Sequence, residues 1–219
     1  MSAVGVSASL NNTGTQPRHS AVVRITHWVV VLSVIGLLVS GIGILISHPR
    51  LYWGETGYVG ADSLIDVPLP FVIGPSVWNR PIHFFFAWIL TFAGVAYVAY
   101  GFVTRHFRND LAPNATRTYN TGTYNVAQRL TYLAVVFALF PAIFWTGLAM
   151  SFGVTSVFPV MAVALGGHQS ARTLHFAFVA LLLLFVAVHV LMVYLAGFVT
   201  NVRAMITGRP NPRNGTPDE

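Results

Sequence analysis

Four long apolar stretches dominate the chain, approximately Ile25–Ser47, Pro81–Thr104, Val126–Phe152 and Thr173–Thr200. A helix needs about 20 residues to cross a bilayer. Each stretch is far longer than a strand of about four to eight residues. Lipid offers backbone N–H and C=O groups no partner, so each stretch must close its own hydrogen bonds as a helix. The pattern predicts an all-α membrane protein, a four-transmembrane-helix bundle, with a core at 21–207 between an N-terminal tail (1–20) and a C-terminal tail (208–219).

The connections differ in character. His48–Arg80 is long and carries Glu55, Asp62, Asp66 and three prolines after Val67. Arg105–Asn125 is polar and basic, Gly153–Arg172 is an apolar, Gly-rich loop, and the tail from Asn201 is expected to fray. No convincing internal repeat is visible.

Composition agrees with lipid exposure. Of 219 residues 55 % are hydrophobic and only 8 % charged, and mean hydropathy is +0.66. A soluble domain carries roughly 25 % charged residues. All 12 basic residues are arginine, and the absence of cysteine excludes disulfides, thiolate-held clusters and cysteine nucleophiles. The net charge of +6 does not indicate nucleic acid, because the arginines stand singly at helix ends rather than in a patch. The first twenty residues have no basic region before an apolar core and read as a polar tail, not a signal peptide. Arg18, Arg24, Arg105, Arg108, Arg117, Arg129, Arg203, Arg209 and Arg213 fall on one side of the membrane, and Arg50, Arg80 and Arg172 on the other. This excess predicts both termini in the cytoplasm and the 48–80 loop outside.

Ionisable residues within spans are costly and point to function. His27, His83, His175 and His189 lie within or at the mouth of the spans. His175 and His189 are 14 residues apart, which is about 21 Å of rise and close to four whole turns. They therefore share one face of the fourth span at opposite depths, the first level with His83 and the second with His27. A helix–helix hydrogen bond accounts for one membrane histidine, but not for four at paired depths. A zinc centre wants four ligands at one point, which that separation forbids. Two His–His pairs suit two six-coordinate haems, each needing two axial nitrogens, held between facing helices.

Three of these histidines follow an arginine at i−3: Arg24–His27, Arg80–His83 and Arg172–His175. A cation in a first helical turn is disfavoured by the dipole, so an anion is expected beside each arginine, and haem propionates would serve. Snorkelling to headgroups accounts for a lone arginine; three repeats beside candidate ligands favour the propionates. His19, His48, His106 and His168 read as tail, interfacial or loop residues. Gly36, Gly41, Gly43 and Gly147 allow close approach of helices or of a haem plane. Pro141 is expected to kink the third span, which carries no histidine and reads as a supporting wall. Phe84, Phe85, Phe86 and Trp88 read as packing and interface belt.

The segments RITHW (24–28), HPRLYWG (48–54), RPIHFFFAW (80–88), YNVAQRLTYLAVVFALFPAIFWTGLAMS (124–151) and, in the fourth span, SARTLHF, FVAVHVLMV and NVRAMITGRP resemble one family. It is the bacterial membrane cytochrome b group that includes hydrogenase and formate dehydrogenase cytochrome b subunits, and the branch called thiosulfate reductase cytochrome b subunit is the most similar. The resemblance spans roughly Pro17 to Pro210. It implies a four-helix bundle, two haems b, exchange with a quinone, and the pairings His27 with His189 and His83 with His175. It also implies a periplasmic molybdopterin oxidoreductase as partner. The expected role is a redox subunit in the bacterial inner membrane rather than a complete enzyme. Alternatives are a stand-alone quinol-oxidising cytochrome reducing a small acceptor such as superoxide, and a non-redox transporter with histidine-lined sites. The 48–80 loop, with Tyr52, Trp53, Tyr58 and its acids, is the expected docking face.

Overall fold

The computed structural model describes residues 20–57, 62–68, 77–104 and 126–208. The elements are α1 (Ala21–Ser47), a strand pair β1 (Arg50–Leu51) and β2 (Ile65–Asp66), α2 (Asn79–Val103), α3 (Val126–Ala134), α4 (Phe140–Ala149), α5 (Phe152–Thr155), α6 (Val160–Val163), α7 (His168–Leu195) and α8 (Phe198–Thr207). A π-helical turn, Val135–Leu139, joins α3 to α4. Four helices are long and apolar enough to cross a membrane, Ala21–Ser47, Asn79–Val103, Leu130–Ala149 and His168–Leu195. The chain is a multi-pass membrane protein. His19, Tyr58, His106, the whole basic 105–125 connection, residues 1–19 and residues 209–219 lie outside the described residues.

Burial is inverted relative to a soluble protein. Most buried residues of the spans are small or hydroxylic, among them Ser33, Ser40, Ala93, Thr146, Ala149 and Ala171, with Val135 and Leu182 the larger exceptions, while Ile25, Leu32, Val39, Phe92, Leu184 and Leu195 are exposed. Lipid rewards apolar exteriors, and close helix contact then selects small side chains. Packing is concentrated in two hairpins, α1 with α2 and α4 with α7.

Helix ends follow local chemistry. Ser20 caps α1 by accepting from Val23 N at 3.3 Å. The helix stops at Ser47 because Pro49 pushes His48 out of the helical region, to φ −144° and ψ 72°. Pro81 lies in the first turn of α2, where a missing N–H costs nothing. Pro141 stands at the start of α4, directly after the π turn. The disruption expected at Pro141 therefore takes the form of a widened turn before it.

Three expectations need correction. The fourth span starts at His168, not Thr173, so His168 is the first residue of a helix rather than part of a loop. The same span ends at Leu195, not Thr200, because Gly197 adopts φ 99°, a conformation that suits glycine. Of the tail from Asn201, the described part, residues 201–208, does not fray. It completes α8, pinned to α1 by Arg24 Nη1 donating to Ile206 O at 2.8 Å and Trp28 Nε1 donating to Met205 O at 3.3 Å. The Gly-rich connection also carries the two short helices α5 and α6.

At the other end of the bundle the segment after α1 closes over the start of α7. Gly54 O accepts from Gln169 N (3.0 Å) and Ser170 N (3.2 Å), and Glu55 Oε2 accepts from His168 N at 3.3 Å. A carbonyl and a carboxylate thus satisfy first-turn N–H groups that have no partner within the helix. Thr173 donates to Tyr52 O at 2.6 Å, and Arg172 donates to His48 O. Residues 48–55 are therefore a structural clasp on the helix that carries His175.

Ser170 anchors this clasp. Its hydroxyl is fully buried, accepts from Gly54 N at 2.8 Å and donates to Gly166 O at 3.1 Å. Ser170→Ala should cost about 1–3 kcal/mol, because the half-buried Gly54 N–H loses its acceptor. Thermal unfolding in detergent should show a lowered midpoint.

Candidate functional site

The four histidines selected from the sequence meet in the expected pairs across the seam between the hairpins. The His27 and His189 rings have centroids 6.5 Å apart at 51°, and the His83 and His175 rings 6.4 Å apart at 64°. His175 and His189 share α7. Two metal–nitrogen bonds of about 2 Å, with each ring centre about 1.1 Å behind its nitrogen, would put the centroids about 6.2 Å apart. Both pairs are thus spaced to hold one metal ion between two imidazoles, as a six-coordinate haem requires.

Which ring nitrogen faces that metal is set by the other nitrogen's partner. His83 Nδ1 lies 3.0 Å from Ser40 Oγ. That hydroxyl is 2.7 Å from Gly36 O, a distance that requires its single proton to lie between the two oxygens. Ser40 can then only accept, so His83 Nδ1 carries the hydrogen. His175 Nδ1 is 2.9 Å from Thr146 Oγ1 and 3.1 Å from the carbonyl of Ile143. A carbonyl accepts only, which fixes His175 as the Nδ1–H tautomer too. In both rings Nε2 keeps its lone pair. Tyr132 OH lies 3.3 Å from His189 Nδ1, and Phe185 stacks on His189 at 5.9 Å and 23°.

Ser40, Thr146 and Tyr132 were not selected from the sequence, although polar side chains level with histidines inside spans are themselves a signal. The third span is consequently more than a wall, since Thr146, Ile143 and Tyr132 all belong to it. Gly36 and Gly43 make room for side chains, whereas Gly41 and Gly147 lie in ordinary contact distance of imidazoles. A Cβ on Gly36 would meet the Phe86 ring, one on Gly43 the Asn79 amide, one on Gly41 would lie 3.4 Å from His83, and one on Gly147 3.6 Å from His175.

The arginines beside these histidines reach backbone carbonyls: Arg24 that of Ile206, and Arg172 that of His48. Arg80 is exposed and close enough to Arg172 for the two charges to repel. Phe84, Phe85 and Trp88 are exposed at 48 %, 61 % and 48 %, as belt residues would be. His168 rests against Phe152, with ring centroids 5.0 Å apart. His48 sits beyond the end of α1. Its imidazole is held below the usual 6.5, first by partial loss of water and then by the Arg172 and Arg80 charges.

A family model described as prokaryotic cytochrome b561 matches residues 18–208. A protein of Azospira oryzae, provisionally named protein-methionine-sulfoxide reductase subunit YedZ1, is 26 % identical over 192 residues, covering 81 % of this chain and 90 % of the relative. No solved structure matches.

The electrostatics of His48 supply a test independent of these likenesses. Its folded pKa lies below 6.5, so below that pH the unfolded chain binds the proton more readily. The stability this group contributes is present above pH 6.5 and is lost as pH falls through the folded value. Arg80→Gln should move the His48 titration upward, toward 6.5, in an NMR pH series.

Proposed function

The chain belongs to the prokaryotic cytochrome b561 family, and from that premise we propose that it binds two haems b and passes electrons between a membrane quinone pool and an oxidoreductase outside the cytoplasm. Membership itself assigns haem b and membrane electron transfer. The observation that carries the finer reading is the presence of two imidazole pairs at 6.5 and 6.4 Å, one toward each end of the bundle.

In this reading His27 and His189 are axial ligands at the end that carries the termini, and His83 and His175 at the end that carries the 48–80 loop. Haem b, when bound, supplies reversible one-electron carriage. The protein's part is to hold two imidazoles in line, keep their Nε2 lone pairs unprotonated, and shield the site with apolar helices. With no cysteine in the chain, attachment is non-covalent. Arg24, Arg80 and Arg172 pair with the propionates. Arg24 and Arg172 each use part of a guanidinium on a carbonyl, and such a group has five N–H donors, so donors remain for a carboxylate. Residues 1–20 and 208–219 are cytoplasmic tails around a 21–207 core, by the arginine excess.

The partner is an oxidoreductase subunit, of molybdopterin type by resemblance, and the likeness to a reductase subunit supports a catalytic partner. The docking face is the part of the 48–80 loop not engaged in the clasp. Leu64 and Ile65 are exposed there at 60 % and 41 %, beside an Arg50–Asp66 ion pair at 3.4 Å.

A pyridine haemochrome assay should give two haems per chain. His83→Ala and His175→Ala should remove one spectral component, and His27→Ala and His189→Ala the other; loss of the same component from both pairs refutes the pairing. Arg80→Gln and Arg172→Gln should lower the midpoint potential of the first component, because a nearby cation favours the less positive iron state. Leu64→Glu with Ile65→Glu should leave both haems and their reduction by quinol intact while slowing transfer to the partner. Unchanged transfer would place docking elsewhere.

A further inference from the structure

One construction occurs twice in the bundle. Ser40 and Gly41 are neighbours on α1, and Thr146 and Gly147 are neighbours on α4. Both hydroxyls are buried, at 3 % and 1 % exposure. Each gives its proton to a carbonyl of its own helix: Ser40 to Gly36 O at 2.7 Å, Thr146 to Ala142 O or Ile143 O at 2.9 Å. Each then accepts from the Nδ1 of an imidazole on the following span, His83 at 3.0 Å and His175 at 2.9 Å. The adjacent glycine lies against the same ring, where a Cβ would be in ordinary van der Waals contact with it. A Cβ would stand 3.4 Å from His83 Cε1 and 3.7 Å from its Nδ1 at Gly41, and 3.6 and 3.9 Å from the same atoms of His175 at Gly147. Both imidazoles end an R-x-x-H segment, Arg80–His83 and Arg172–His175. Each hairpin thus has a hydroxyl–glycine step on its first span and R-x-x-H near the start of its second. The linear sequence hides this, because the partners are 43 residues apart in one hairpin and 29 in the other.

We propose that Ser40 on one hairpin, and Thr146 together with Ile143 O (3.1 Å from His175 Nδ1) on the other, are two corresponding seats that lock His83 and His175 as Nδ1–H tautomers, deliver both Nε2 lone pairs to one haem iron and thereby set its redox potential. The proposal rests on the reading of His83 and His175 as axial ligands. Ser40 and Thr146 are positioning residues. An imidazole whose Nδ1–H donates into an oxygen is a stronger electron donor at Nε2, and a stronger donor favours the more positive state of the metal.

The test uses the full-length haem-loaded protein with Ser40→Ala, Thr146→Ala and the conservative exchanges Ser40→Thr and Thr146→Ser. Optical redox titration, low-spin ferric EPR and haem content are read for each component. The alanine variants should raise the midpoint potential of the His83–His175 component, shift its EPR signal, leave the His27–His189 component in place and weaken haem retention by about 10–100-fold. The conservative exchanges should restore the native midpoint. If Thr146→Ala does not fold, Thr146→Val keeps the shape without the acceptor and should give the same shifts. Alanine or valine variants that keep the native midpoint and EPR signal overturn the proposal, as does loss of haem with no shift in what remains. Failure of the underlying reading looks different: His83→Ala and His175→Ala would then retain the full haem content.

Discussion

An imidazole inside a bilayer has two nitrogens to satisfy, and hydrocarbon satisfies neither. In the His83–His175 pair one nitrogen of each ring is given to an oxygen that can only accept, Ser40 Oγ in one case and Thr146 Oγ1 with Ile143 O in the other. The second nitrogen is thereby committed to the seam. The rest of the loop-facing half follows from this commitment. The hydroxyls must be buried deeply enough that lipid and water do not compete. The spans on either side can be almost featureless, because their exteriors need only be apolar.

The seam is kept in register from its ends. Near the termini, Arg24 and Trp28 of α1 bond carbonyls of α8. At the opposite end, Gly54, Glu55, Tyr52 and His48 bind the first turns of α7. The acceptors of Arg24, Trp28, Thr173 and Arg172 are backbone carbonyls, so these contacts tie helices together without using an acid. The long loop that follows α1 thus combines two duties, with its first residues structural and its later ones free for recognition.

The sequence made the architecture legible because lipid imposes a coarse rule: a run of about 20 apolar residues must be helix. The four histidines were legible for the same reason, since a costly residue in a span stands out and a spacing of 14 residues on one helix fixes both face and depth. Three features were not. The break after Leu195 depends on a single glycine, Gly197, at φ 99°, inside a segment that hydropathy alone extends to Thr200. The start of α7 at His168 depends on caps from residues 54 and 55, over a hundred positions earlier. Ser40, Thr146 and Tyr132 matter only because of where another helix places a ring, and one chain's linear order does not contain that information.

The left-handed turn at Gly197 also bears on when the fold can be completed. Because of it, α8 doubles back and places the carbonyls of Met205 and Ile206 under Trp28 and Arg24, residues separated from them by 177 and 182 positions. The histidine pairs 27–189 and 83–175 nest inside that closure. During synthesis the first two spans enter the membrane long before their partners exist, and neither imidazole pair can form until the fourth span is threaded. The start of the first helix is likewise tied in place only once α8 has formed, so occupancy of the seam must follow insertion of the fourth span.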